Sequence, residues 1–323
     1  MRETILRMLR QSGDEFISGE LISEQLGITR AAVWKHMQAL QREGFDIEAV
    51  TRKGYRLRGS ANALLPSLIE PELKTRSLGR EMVYLNSAPS TNIVARQLSQ
   101  QGCAHGTVVL AEEQTAGRGR RGRAWLNSPG QDICMSAVLR PRLEAQHAPR
   151  FTLSTALGIY RVAAALGLVP SIKWPNDVLV AGKKLCGILL EMEGNMDSLE
   201  SIIVGLGLNV NTDKFPQELA SIATSLGKEL NRTLSRREVL SSLLNELEPL
   251  YDACEDDAAF TDVLNTYKTA CGTLGQAVDV TGVRETLSGI AEDIDEAGRL
   301  LLRTPDGVLH TISAGDVSLR AQS

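Results

Sequence analysis

The chain is poor in the residues that would place it in several protein classes. Of its 323 residues only 4% are aromatic, and only four are histidine. The five cysteines, Cys103, Cys134, Cys186, Cys254 and Cys271, are scattered, with no C-x-x-C pair and no histidine at zinc-finger spacing. That excludes a disulfide scaffold and a zinc module, and implies reduced thiols. No apolar run approaches the length of a bilayer span and no signal peptide is found, so a soluble, cytoplasmic protein is expected. Positive charge is not in surplus either. With a formal net charge of −4 and a pI of about 5.7, any nucleic-acid contact must be local. A hydrophobic content of 43% supports real cores, and the length allows two or three domains.

The most distinctive stretch runs from Thr107 to Trp125. Thr107-Val108-Val109-Leu110-Ala111 reads as a buried strand. Gly117-Arg118-Gly119-Arg120-Arg121-Gly122-Arg123 follows, four arginines interleaved with three glycines. Arginine offers a permanently charged fork of donors suited to carboxylate or phosphate oxygens, and glycine lets the backbone approach an anion closely. The pattern also fits the dinucleotide-binding glycine fingerprint, but that needs a helix at the last glycine, and Pro129-Gly130 leaves no room for one. An anion-binding loop that closes over its ligand is the expectation.

Residues 1–60 read as a small separate domain. Ile5, Met8 and Leu9 mark a first helix. Ser18 is a plausible N-cap for a second, with Leu21, Ile22 and Leu26 as its stripe. Gly27-Ile28 makes a tight turn, and a third helix from Thr29 to about Arg42 buries Val33, Met37 and Leu40. This is helix-turn-helix spacing. Arg30, Trp34, Lys35, Gln38 and Arg42 lie on the opposite face. Two short strands around Thr51-Arg52-Lys53-Gly54 form a basic wing that also counts Arg56. Lysine and arginine exceed aspartate and glutamate by only ten to eight over residues 1–60, yet the basic groups crowd into the third helix and the wing. We therefore expect a DNA-binding domain using Arg30, Trp34, Lys35, Arg52 and Lys53. Gly59-Ser60-Ala61-Asn62-Ala63 reads as a linker.

Residues 67–271 form the expected central domain. Its strand Met82–Leu85 leads into Ser90-Thr91-Asn92, three polar residues at a helix start, more than one cap needs. Ile133–Leu139 is a strand and Phe151–Leu166 a core helix. Ile172–Val180 and Lys183–Glu191 read as two strands joined at Ala181-Gly182, carrying Asn176, Asp177, Lys183 and Lys184. A lysine pair, an Asn-Asp pair and the arginine loop in one domain suit a nucleotide phosphate with magnesium. Ile202–Asn211 is a further strand whose alternating glycines suggest close approach by a ligand. The helices from Ser235 to Tyr267 carry no recognisable chemistry. From Gly272 to Ser323, short strands and glycine turns read as a small all-β barrel of the SH3 type.

Taken together, Ser90-Thr91-Asn92, Gln114 through Trp125, Lys173–Asp177, Lys183–Glu191 and Gly205–Asn211 resemble the biotin–protein ligase family across essentially the whole chain. The winged helix-turn-helix in front is similar to bifunctional members that also repress biotin synthesis genes. The resemblance implies an α+β, multidomain fold whose central mixed sheet is related to class II aminoacyl-tRNA synthetases. It implies that Ser90, Thr91, Asn92 and Gln114 bind the ureido end of biotin. Arg118, Gly119 and Arg120 would close over the carboxylate and the adenylate phosphate, and Lys184 would reach the reacting groups. Trp125, Asn176, Asp177, Arg121 and Asn209 would face the nucleotide, with Asp177 near magnesium. ATP and Mg2+ are implied as substrate and activating ion, with no tightly held prosthetic group. The implied partners are a biotin carboxyl carrier protein, operator DNA and, when adenylate-bound, a second copy of the chain. A lipoate-type ligase sharing the fold and a non-enzymatic sensor are the competing readings. The small polar groups at Ser90–Asn92 argue against the first, and intact Arg118, Arg120 and Lys184 against the second.

Overall fold

The computed structural model describes residues 1–12, 15–42, 45, 47–57, 63–194, 199–282, 286–313 and 315–319. The chain divides into two compact units, Met1–Ala63 and Leu64–Ser323. Of the linker expected at residues 59–63, all but Ala63 lies outside the described residues.

The first unit contains α1 (Arg2–Gln11), α2 (Gly19–Leu26), α3 (Arg30–Arg42), β1 (Ile47–Val50) and β2 (Gly54–Leu57). Ser18 caps α2 by accepting from Leu21 N at 3.1 Å. Gly27 ends it in the left-handed region at φ 63°, where glycine carries no steric cost. Thr29 caps α3 by accepting from Ala32 N at 3.2 Å. Ile5, Leu9, Ile22, Val33, Met37 and Leu40 meet Ile47 and Leu57 in one core. The wing is an antiparallel pair with Ile47 opposite Leu57. Gly54 is obligatory there: at φ +112°, a Cβ would fall 2.1 Å from the Ile17 carbonyl oxygen.

The second unit is built on a seven-stranded sheet in the order β3-β4-β5-β9-β8-β7-β6. Its strands are β3 (Met82–Ala88), β4 (Thr107–Gln114), β5 (Ile133–Leu139), β6 (Pro170–Lys173), β7 (Asp177–Val180), β8 (Lys183–Gly194) and β9 (Leu199–Leu208). Only the β3–β4 pairing is parallel. Every residue of β5 is buried, as its unbroken apolar run requires for a strand covered on both faces. The helix α5 (Thr91–Gln100) covers one face through Ala95, Val109, Val138 and Ile203. Three longer helices, α6 (Pro149–Ala165), α8 (Arg236–Ala253) and α9 (Asp257–Ala270), pack in the main core, while the short α4 (Pro66–Ile69) and α7 (Leu226–Leu230) sit in connections. No helix among the described residues is long and apolar enough to cross a membrane.

A five-stranded antiparallel sheet follows, in the order β13-β12-β11-β10-β14. It comprises β10 (Ala277–Thr281), β11 (Thr286–Ile294), β12 (Leu300–Arg303), β13 (Leu309–Ile312) and β14 (Asp316–Leu319). Its Val278, Val280, Ala291, Leu300 and Leu302 share one core with the large sheet.

Three expectations need correction. Leu21, expected on the stripe of α2, is 41% exposed, leaving Ile22 as that helix's buried residue. The single strand expected over Ile172–Val180 is two, β6 and β7, broken at Trp174-Pro175-Asn176. Pro175 has no N–H for a ladder and the chain reverses there to pair β6 with β7. Trp174, only 1% exposed, anchors the turn by donating its indole N–H to the Gly298 carbonyl at 3.0 Å while its backbone N–H meets Thr273 Oγ1. The strand from Ile202 also starts earlier and stops at Leu208, leaving Asn209 and Asn211 beyond its end.

Glu248 on α8 anchors the entry to β3. Its carboxylate accepts from Arg76 N, Ser77 N and Leu78 N at 2.7, 2.8 and 2.9 Å. Burial alone would raise its pKa, but these donors outweigh burial and the pKa is lowered. A lowered carboxylate contributes stability above its unfolded pKa of ~4.3 and loses it as pH falls through the folded value. Glu248→Gln should therefore cost about 1.5–3 kcal/mol at neutral pH. It should also flatten the loss of stability on acidification, as denaturant titrations at pH 7 and pH 3.5 will test.

Candidate active site and DNA-binding face

The register of the large sheet makes the floor of the site. Ser136 of β5, Gly205 of β9 and Leu189 of β8 form one cross-strand row, and Cys134, Gly207 and Gly187 the next. Three glycines in neighbouring positions strip the sheet of side chains there, opening a depression. Trp125 lies across it: a Cβ at Gly207 would fall 2.1 Å from its ring, and one at Gly187 2.9 Å. The remaining cavity is about 130 Å³.

One wall is the start of α5. Ser90 occupies the N-cap position in extended conformation, yet its side chain makes no cap. Among the described residues Ser90 Oγ forms no hydrogen bond, and the residue lines the cavity. Gln114 Oε1 accepts from Thr91 N at 2.8 Å and from Thr91 Oγ1 at 3.2 Å. Ser136 Oγ sits between Thr91 Oγ1, at 2.8 Å, and Asn92 Oδ1, to which it donates at 2.6 Å. Asn92 Nδ2 donates to Glu191 Oε2 at 2.7 Å, and Glu191 pairs with Arg96. Both ends of the Asn92 amide are thus engaged, so this residue frames the wall, while Ser90 keeps an open hydroxyl.

The opposite wall is charged. Lys184 Nζ lies 2.8 Å from Asp177 Oδ1 and 5.6 Å from the Trp125 ring centroid. Arg120 donates to Asn176 Oδ1 at 2.7 Å, and Asn176 Nδ2 donates to the Ile188 carbonyl. Burial lowers the Arg120 pKa, while Asp316 and Asp177 partly restore it. Arg118 is exposed at the rim and has no ion-pair partner among the described residues. The loop folds on itself through Gly119 N to Arg123 O and Trp125 N to Gly117 O. It contains only a single 3-10 turn, Arg120–Gly122, and no dinucleotide-type helix. Among the described residues, Trp125 Nε1 and Asp177 Oδ1 are buried without an aligned hydrogen-bond partner. Asp177 Oδ1 still has the Lys184 ammonium beside it, whereas the Trp125 indole N–H has no partner, and a buried orphaned donor on a residue lining a cavity points to a ligand that satisfies it.

Ser90, Thr91, Asn92, Gln114, Arg118, Gly119, Arg120, Trp125, Asn176, Asp177 and Lys184 all line this cavity. Arg121 does not, and instead contacts Asp316 at 3.5 Å. Asn209 is also outside: it is buried and donates Nδ2 to the Thr224 carbonyl, holding the segment whose Ile222 and Thr224 bracket Lys184. In this arrangement Asn209 supports the segment beside Lys184. Sequence reasoning missed Ser136, Glu191 and Asp316. Ser136 carried a signal, a lone hydroxyl inside an apolar strand. Asp316 carried none, because β14 was not expected; it pairs with Arg123 at 2.7 Å and lines the cavity. No group of three His, Cys, Asp or Glu side chains able to hold a metal occurs among the described residues.

On α3 of the first unit, Arg30, Trp34 and Lys35 are exposed, Trp34 at 51%. Arg52 and Lys53 are exposed on the wing, with Arg52 in the left-handed region. Arg56, counted with the wing's charge from sequence, is instead bound to Glu48 at 3.0 Å and stacked on Phe16.

Comparison with known proteins agrees with this geometry. Residues 1–56 match the HTH domain, 84–209 the biotin/lipoate A/B protein ligase family and 273–320 the biotin protein ligase C-terminal domain. The bifunctional ligase/repressor BirA of Bacillus spizizenii is 39% identical over 322 residues, covering 99% of this chain and 98% of that protein. BirA of Escherichia coli is 31% identical, covering 95% and 94%. The structure of the Aquifex aeolicus biotin protein ligase in complex with biotin and ATP superposes with a TM-score of 0.62 at 29% identity, over 75% of this chain and all of that one. The chain belongs to the biotin–protein ligase family, in the bifunctional form that joins a ligase to a helix-turn-helix repressor domain.

Proposed function

We propose that the chain joins biotin to ATP to give biotinyl-5′-AMP, passes the biotinyl group to a lysine of a biotin carboxyl carrier protein, and binds operator DNA with the adenylate as corepressor. The observation that carries this reading is the unpartnered indole Trp125 Nε1 in a cavity otherwise lined by Arg118, Arg120 and a Lys184 paired with Asp177. Ser90 and Gln114 offer small polar groups to a ureido ring, and the glycine floor takes the flat body of the ligand. Both reactants are anions. Arg118, Arg120 and Lys184 cancel their repulsion and hold the charge that grows as the biotin carboxylate attacks the α-phosphorus and pyrophosphate leaves. Arg120 changes partner from Asn176 to the ligand, and Trp125 moves from the floor to cover it, excluding water from the mixed anhydride. The carrier's amine then attacks the carbonyl, expelling AMP. With no acidic cluster among the described residues, magnesium fits as an ion brought by the phosphates, with Asp177 a carboxylate of the cavity lining.

In this reading the working parts are residues 1–60, 67–271 and 272–323, with a class II synthetase-like central sheet, an SH3-like final sheet and adenylate-promoted pairing of two copies on two half-sites. Incubation with ATP, magnesium and labelled biotin should label a carrier domain. Failure of the unmodified chain to form any adenylate overturns the ligase. For the repressor, Arg52→Ala/Lys53→Ala should weaken operator binding uniformly across sequences and reduce the salt slope by about one to two. Absence of operator binding with and without adenylate overturns it.

A further inference from the structure

The arginine loop hangs from a buried frame that reaches it from α8. Arg236, at the start of that helix, has a side chain only 3% exposed. Its guanidinium donates to Glu112 Oε2 at 2.8 Å, to Glu112 Oε1 at 3.1 Å and to the Asp132 carbonyl at 2.9 Å. Glu112 lies two residues before Gln114, and Asp132 immediately before β5, so one side chain ties together both ends of the loop. The Glu112 carboxylate also accepts from Tyr84 Oη at 3.0 Å and from Gly130 N at 3.1 Å. Burial and then the charge of Glu112 push the Tyr84 phenol well above its ordinary value, so it stays a donor.

A second strap lies beside the first. Asn127 accepts from Gln114 N at 3.0 Å and donates to the Glu112 carbonyl at 2.8 Å. The Asp132 carboxylate accepts from Ser128 N, Val210 N and Thr212 Oγ1. The tip of the loop, by contrast, bonds to itself, to Asn176 through Arg120 and to Asp316. Neither Glu112 nor Arg236 lines the cavity.

We infer that Glu112 and Arg236 are positioning residues which set the reach of the arginine loop, and so decide how long the adenylate is retained rather than how well biotin binds. The inference rests on the ligase reading above. A buried pair of opposite charges fixes distance and direction more narrowly than an apolar contact, because either partner alone is strongly disfavoured. Small displacements at the base become larger displacements at Arg118 and Arg120, where misplacement is costly.

The test compares the full chain with Arg236→Lys, Arg236→Met, Glu112→Gln and the double variant Glu112→Gln/Arg236→Met. Trypsin cleavage after Arg118–Arg123 in the ligand-free protein reports the loop directly. Adenylate retention after rapid removal of free ligand, and biotin affinity by calorimetry, report function. Arg236→Lys should raise loop cleavage and shorten adenylate retention about tenfold, with biotin affinity changed less than about threefold. The double variant should retain adenylate better than Arg236→Met alone, since it leaves no unpaired buried charge. Loop cleavage and retention equal to the unmodified chain, or biotin affinity falling in step with retention, overturns the inference. If the unmodified chain makes no adenylate the ligase reading fails, and loop cleavage still decides whether the pair holds the loop.

Discussion

Replacing Gly205 by alanine should weaken biotin binding by about 100-fold or more, corresponding to about 2.7 kcal/mol, while the protein remains folded. A Cβ at this position falls 1.9 Å from Asn92 Oδ1. Asn92 cannot turn aside cheaply, because Ser136 holds its oxygen at 2.6 Å and Glu191 its nitrogen at 2.7 Å. Either the amide leaves both partners, exposing unsatisfied buried groups, or β9 bends away from the wall; overpacking of this kind costs ~1–3 kcal/mol. Calorimetric titration with biotin alone isolates the effect from catalysis, and a thermal melt checks the fold. An alanine variant that binds biotin like the unmodified chain would mean that Asn92 is not fixed and the wall is not as described. Gly207→Ala is the useful contrast. Its Cβ meets the Trp125 ring, which belongs to the loop and can move, so it should chiefly alter loop closure.

Lys184→Met should lower the rate of adenylate formation by about 100- to 1000-fold, in line with the loss of one preorganised charge aimed at the developing phosphate charge. Biotin binding should change little, since the ureido wall lies on the other side of the cavity. The substitution also strands Asp177, whose Oδ1 has Lys184 Nζ at 2.8 Å as its ion partner. Lys184→Arg should not restore the rate: a planar fork cannot occupy the space of a single ammonium between Asp177 and the Trp125 ring. Single-turnover measurements with saturating biotin and ATP separate this step from transfer. A rate within threefold of the unmodified chain would remove Lys184 from the chemistry.

Much of this architecture is legible in the sequence where local rules and tertiary packing agree. Val33, Met37 and Leu40 recur at helical spacing and are buried, and Ser18, Gly27 and Thr29 mark helix ends as their side chains and backbone freedom require. Ile133–Leu139 has the bounds expected of an unbroken apolar run. The reading fails where a distant segment decides. Pro175 marks the break locally, since it has no N–H for a ladder, but the anchoring of Trp174 at the Gly298 carbonyl, far along the chain, could not be read there. The strand Asp316–Leu319 has too short an apolar pattern to be seen alone. In the site, arginines, lysine and glycines announce themselves by type and spacing. Ser136 shows only as a lone hydroxyl in an apolar strand and Glu191 not at all, because their roles arise from which strands lie side by side. Asn209 lies a short step past the strand end, with its amide donating to the Thr224 carbonyl, an arrangement that the sequence pattern alone does not show.

The placement of Asp316 against Arg121 and Arg123 has a consequence for biosynthesis. The arginines leave the ribosome long before the acid that holds them, and the helix-turn-helix unit, compact by itself, leaves earlier still. Domains commonly fold in the order in which they emerge. A growing chain therefore acquires a folded DNA-recognition unit while its reaction centre still lacks a wall. Arrested or clipped chains that stop short of β14 would carry the helix-turn-helix unit without a complete adenylation site, and so without the adenylate that the proposed operator binding requires.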